Sequence, residues 1–67
     1  MISLTVNGKT REIEDSMKLT QFLEINHIEP RLIAIEYNGQ ILRREEYDKV
    51  TLKDRDKVEI VHMVGGG

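Results

Sequence analysis

The sequence predicts an α+β domain, a β-sheet with one short helix packed on a single face. Three observations predict it. Of its 26 apolar residues, eight are Ile and five are Val, and β-branched side chains favour strands. Two Asn-Gly pairs, Asn7-Gly8 and Asn38-Gly39, each follow an apolar segment. Asn-Gly is the strongest short hairpin signal, because a type I′ turn needs positive φ at both central residues. Only Leu19, Phe22, Leu23 and Asn26 show helical spacing, at i, i+3, i+4 and i+7.

Each element follows in order. Ile2, Leu4 and Val6 alternate with Ser3 and Thr5, as a half-buried strand requires. The return strand, Lys9 to Glu14, has only Ile13 clearly apolar and reads as an outer strand. Asp15-Ser16 offers a helix cap, and a helix of about eight to ten residues would follow. Pro30 closes the helical stretch, since it pushes Glu29 to an extended conformation. Leu32 to Tyr37 is the most apolar strand, and Gln40 to Arg43 pairs back on it after the second turn. Arg44 to Asp56 is charged and irregular, with Tyr47, Val50 and Leu52 as its anchors. Lys57 to Val64 is the last strand. The order is β-β-α-β-β-β. The expected core holds Ile2 or Leu4, Phe22, Leu23, Ile33, Ile35 and Ile60.

Size and charge exclude several functions. A 67-residue chain buries only about 60% of its unfolded surface. It has no room for a deep substrate cavity of about 300–1,000 Å³, so a self-contained enzyme is not expected. Ten basic residues stand against twelve acidic ones, for a net charge of -2. No basic excess exists to neutralise phosphates, so no nucleic-acid partner is expected. There is no cysteine, hence no disulfide, thiolate metal site or thiol nucleophile. A small domain held by packing alone suits a reducing cytoplasm. The alternating first strand does not resemble a signal peptide, and no apolar run approaches the roughly 18 residues of a membrane span.

Other polar groups read as structural. His27 and His62 lack acidic or thiol neighbours at zinc-like spacing. Asp54-x-Asp56 lacks the glycine and glutamate that a calcium loop needs, and reads as a turn. Glu45-Glu46 follows Arg43-Arg44 in a solvated charged loop, and adjacent side chains point apart.

The final strand sets Val58, Ile60, His62 and Val64 on one face and Glu59, Val61 and Met63 on the other. If Ile33, Ile35 and Tyr37 face the helix, then Leu32, Ala34 and Glu36 face outward. Leu32, Ala34, Val61 and Met63 would then form an apolar patch on the open sheet face, a candidate docking surface.

The element order and the terminal glycines resemble the β-grasp fold of ubiquitin and its prokaryotic relatives. The closer resemblance is to the sulfur carriers of thiamine biosynthesis, the ThiS family. It is carried by Val6-Asn7-Gly8-Lys9, Ile35-Glu36-Tyr37-Asn38-Gly39, Leu52-Lys53-Asp54-Arg55-Asp56 and Glu59-Ile60-Val61-His62-Met63-Val64-Gly65-Gly66-Gly67, and spans essentially the whole chain. Two loop positions depart from the pattern: Arg55 stands where many relatives have Gly, and Arg43-Arg44 where Pro-Arg is frequent.

The resemblance implies a ubiquitin-like β-grasp domain over residues 1–64, with a five-stranded mixed sheet, and a flexible tail over 65–67. It implies a carrier rather than an enzyme, with Gly67 as the site of adenylation and thiocarboxylate formation. Gly65 and Gly66 would thread a partner's channel. A ThiF-like adenylating enzyme would use ATP, a persulfide donor would supply sulfur, and a ThiG-like thiazole synthase would receive it. The carrier would bind no cofactor of its own.

The chemistry of the terminus fits that role. Without cysteine, the handle for sulfur is the Gly67 α-carboxylate, an anion at neutral pH with a reference pKa of about 3.3–3.7. A carboxylate can attack the α-phosphorus of ATP, and the resulting acyl-adenylate is open to a sulfur nucleophile. Glycine leaves no side chain to obstruct a channel. The alternatives are the molybdopterin-synthase small subunit, a ubiquitin-like protein modifier, and a plain β-grasp binding module.

Overall fold

A computed structural model describes residues 1–63. Ile2–Val6 forms β1 and Lys9–Ile13 forms β2, paired antiparallel from Ile2↔Ile13 to Val6↔Lys9. Asn7 and Gly8 between them have φ of 51° and 80°, the left-handed pair that a type I′ turn demands. The second hairpin repeats the device. Ile33–Tyr37 (β4) and Gln40–Ile41 (β5) pair antiparallel across Asn38 and Gly39, at φ 49° and 88°.

Between the hairpins lie a two-residue strand, Met17–Lys18 (β3), and the one α-helix among the described residues, Leu19–Ile25 (α1). After β5 come a 3₁₀ helix over Arg44–Lys49, a second two-residue strand, Thr51–Leu52 (β6), and the last strand, Lys57–His62 (β7). The main sheet has five strands in the order β2-β1-β7-β4-β5. Strand β7 runs parallel to β1 and antiparallel to β4, so the sheet is mixed, as expected.

Alternation decides which side chains are buried. Leu4 and Val6 of β1, Ile33 and Ile35 of β4, and Val58 and Ile60 of β7 turn to one face. The helix covers that face with Leu19, Phe22 and Leu23, and Tyr47 and Leu52 complete the core. Each fully buried large apolar side chain contributes roughly 1.5–3 kcal/mol. Of the expected core, Leu4 is buried and Ile2 packs at its edge. Arg11, on the exposed β2, lays its guanidinium 5.8 Å from the centre of the Phe22 ring and donates to Asn26 Oδ1 at 3.0 Å.

Four local expectations need correction. The helix has seven residues rather than eight to ten, and Asp15-Ser16 does not cap it. Lys18 holds the cap position without a side-chain hydrogen bond, and the Leu19 N–H is taken by the Val50 carbonyl at 2.9 Å. That contact follows from the second correction, a small separate sheet in which β3 pairs antiparallel with β6. The most apolar strand begins at Ile33, because Leu32 ends a 3₁₀ turn started by Pro30. The fourth strand of the main sheet stops at Ile41 rather than Arg43.

The helix ends before Pro30 is reached. The His27 N–H bonds to the Glu24 carbonyl at 3.1 Å, and the Ile28 N–H to the Leu23 carbonyl at 2.9 Å. This is a Schellman closure, with His27 at φ 57° in the position usually held by glycine.

Candidate functional site

The candidate site is the sheet face opposite the helix, beside the end of β7. Ala34 and Val61 are direct cross-strand partners. Two residues further along, the Met63 N–H bonds to the Leu32 carbonyl at 2.8 Å and continues the ladder. The four side chains of the predicted patch therefore lie in two adjacent rows. Leu32 is 56% exposed, Val61 61% and Met63 49%, and Ala34 is also exposed. Ile41 extends the apolar surface toward β5, at 77% exposure. It is opposite Glu36, which in turn is opposite Glu59.

Side chains from both hairpin turns brace β7, the last strand. Asn7 Oδ1 accepts the Ile60 N–H at 2.7 Å, and Asn38 Oδ1 accepts the Lys57 N–H at 2.7 Å. The Asn38 N–H also bonds to the Lys57 carbonyl at 2.8 Å. Read as turn residues, these asparagines have this second task, which no local spacing announces.

The loop before β7 is organised by Asp56. Its Oδ2 accepts from the Tyr37 hydroxyl at 2.5 Å and the Lys53 N–H at 2.8 Å, and its Oδ1 from Asn38 Nδ2 at 3.2 Å. Asp54 acts separately, its Oδ1 taking the Ser3 N–H at 2.8 Å. The Asp54-x-Asp56 turn reading is right in kind, but it misses that Asp56 is 5% exposed.

The remaining polar candidates have structural surroundings. Glu46 Oε1 accepts the Arg43 N–H at 2.8 Å at the start of the 3₁₀ helix. His27 sits at the end of the helix and His62 is exposed at the end of β7. Among the described residues, no group of three or more His, Cys, Asp or Glu could hold a metal ion. No helix there is long and apolar enough to cross a membrane. Val64 and the expected loading segment, Gly65, Gly66 and Gly67, lie outside the described residues.

Comparison with known proteins identifies the fold. The profile of the ThiS family matches residues 4–67. The chain is 38% identical over 65 residues to the sulfur carrier protein ThiS of Bacillus subtilis, covering 96% of this chain and 98% of that one. It superposes on the crystal structure of the thiamine biosynthesis protein ThiS from Geobacter metallireducens with a TM-score of 0.84. The two are 36% identical, with 98% and 100% of the chains covered. It is also 35% identical to a stretch of a thiazole synthase from Paramagnetospirillum magneticum; the match takes in 98% of this chain but 20% of that protein. The chain is a ubiquitin-like β-grasp protein of the ThiS family, the sulfur carriers of thiamine biosynthesis.

Proposed function

We propose that the chain is a protein co-substrate that carries sulfur on the α-carboxylate of Gly67 and has no catalytic activity of its own. A ThiF-like enzyme docks on Leu32, Ala34, Val61 and Met63 and joins the carboxylate to AMP from ATP, releasing pyrophosphate. A persulfide donor then displaces AMP. Reductive cleavage of the resulting acyl disulfide by a thiol leaves the thiocarboxylate, whose ionised sulfur is the reactive form, by analogy with thiolates. A ThiG-like synthase takes that sulfur into the thiazole, and the Gly67 carboxylate returns. ATP is used by the activating enzyme, and the carrier holds no cofactor. Gly65 and Gly66 pass through the partner's channel, and the work is done in the cytoplasm.

The observation that carries this reading is an exposed apolar patch formed by Ala34 of β4, Val61 of β7 and the flanking Leu32 and Met63, beside the end of the last strand. The stretch of similarity inside a thiazole synthase supports the synthase as a partner. The test is a reconstitution with ATP, the adenylating enzyme, a labelled persulfide donor and the thiazole synthase. Label should appear first on the carrier and then in the thiazole. Label that never leaves the carrier, or that reaches the thiazole equally well without it, contradicts the proposal.

A further inference from the structure

Toward its middle the open face changes character. Glu36 and Glu59 are direct cross-strand partners on β4 and β7, and Ile41 lies on the other side of Glu36. Like charges directly opposite each other destabilise a strand pair. Glu59 Oε2 has no exposed surface and no hydrogen-bond partner among the described residues. Neither carboxylate makes a salt bridge there; the two ion pairs are Arg31 with Glu29 and Arg55 with Asp54. Lys57, two residues before Glu59 on the same face, is engaged with neither. The two glutamates and Ile41 border a cleft of about 270 Å³, walled also by Ala34, Ile35 and Val61.

A buried carboxylate oxygen without a donor is costly in the free protein. The face is thus incomplete, and its missing part has a definite chemistry. It must bring positive charge, several N–H donors and an apolar stem. Arginine meets all three conditions: its planar guanidinium carries five donors, and its methylenes can lie against Ala34, Val61 and Ile41. An ammonium is a compact, strongly hydrated point charge and suits two carboxylates in an apolar cleft less well.

We infer that this cleft receives an arginine side chain of the adenylating enzyme, the half-buried Glu59 carboxylate turning outward so that the guanidinium bridges it and Glu36. The inference rests on the docking proposed above and adds its polar anchor. The apolar rows supply contact area, while the carboxylate pair fixes the orientation of the partner and rejects surfaces that lack the cation.

Glu59→Gln in the full-length carrier tests it, with Glu36→Gln as the second variant and Val61→Glu as the control for docking. Affinity for the adenylating enzyme is read by titration calorimetry at low and high salt, and stability of the free carrier by thermal unfolding. Glu59→Gln should weaken the complex about tenfold or more and flatten its salt dependence. It should also leave the unfolding temperature of the free carrier unchanged or raise it, because a like-charge pair is removed. Weaker binding with a lowered unfolding temperature would mean a structural role and overturn the inference. Unchanged affinity of both glutamine variants, with Val61→Glu still binding weakly, would overturn the arginine and leave the docking intact. Unchanged affinity of Val61→Glu would remove the docking itself. Loss of affinity for the thiazole synthase alone would name a different occupant, and so also overturn the inference.

Discussion

The Tyr37 hydroxyl donates to Asp56 Oδ2 at 2.5 Å, tying the end of β4 to the residue that precedes β7. The same carboxylate holds the Lys53 N–H and the Asn38 side chain, so one buried acid sets the geometry of a whole corner. Burial pushes the Asp56 carboxyl up. The hydrogen bonds from Tyr37, Lys53 and Asn38, together with the Lys53 charge, outweigh it and hold the group below its ordinary value of 3.8.

Asp56→Asn should therefore destabilise the fold by about 2–3 kcal/mol at neutral pH, because an amide replaces acceptor capacity with a donor. A carboxylate whose folded pKa is depressed adds stability that is complete above its unfolded pKa and is lost as pH falls through the folded one. The difference between wild type and variant should shrink below about pH 4, as measured by urea unfolding across the acid range. A constant difference would remove Asp56 from the titration.

Tyr37 gives the alkaline counterpart. Burial, the hydrogen bond to Asp56 and the nearby negative charge push its hydroxyl from 10.0 up to about 12. A raised folded pKa contributes stability that is complete below the unfolded value and is lost as pH rises through the folded one. Tyr37→Phe should be less stable than wild type at pH 8. The gap should narrow between pH 10 and 12. Unfolding free energies of the two proteins over that range check this, and a gap that widens would contradict it.

The elements that could be read from the sequence are those with a period or a turn signature. The alternation of Ile2, Leu4 and Val6, both Asn-Gly hairpins and the inward set Ile33 and Ile35 required nothing beyond their neighbours. Pairing of Met17–Lys18 with Thr51–Leu52 was hidden, since two residues show no period and their partners are distant in the chain. The helix start is hidden for the same reason: Asp15-Ser16 has the better local chemistry, but the Leu19 N–H is taken by the remote Val50 carbonyl. On the site, exposure of Ala34 and Val61 follows from strand alternation, whereas Leu32 ends a 3₁₀ turn and Met63 lies just past β7, so their exposure depends on the folded chain. The unpartnered oxygen of Glu59 and the Asp56 hub depend on side-chain positions that only the folded chain reveals.

Arg55 holds φ at 72°, and its side chain is nearly fully exposed, with Asp54 3.9 Å away. The left-handed conformation costs a non-glycine residue about 1–2 kcal/mol, while an exposed ion pair contributes little. Arg55→Gly should stabilise the protein by roughly 0.5–1 kcal/mol after the greater chain entropy of glycine is deducted. An unchanged or lowered midpoint of chemical unfolding would show that the turn is not strained.

Val61→Glu should fold as wild type does, because Val61 is 61% exposed, yet bind the adenylating enzyme more weakly. A charge placed between Ala34 and the neighbouring apolar rows must be desolvated on docking. Circular dichroism checks the fold and titration calorimetry the affinity. Unchanged affinity would mean that the patch is not the contact surface.

The most direct test of the central claim is intact-protein mass spectrometry of the carrier after incubation with ATP, the adenylating enzyme and a sulfur donor. Wild type should gain the mass of sulfur in place of oxygen, localised by fragmentation to Gly67. Deleting Gly67 shortens the reach by at most about 3.3–3.6 Å, and a misplacement of about 1 Å can cost on the order of a hundredfold in rate. The deletion variant should fold normally and remain unloaded. Sulfur on any internal residue, or undiminished loading without Gly67, would contradict the account.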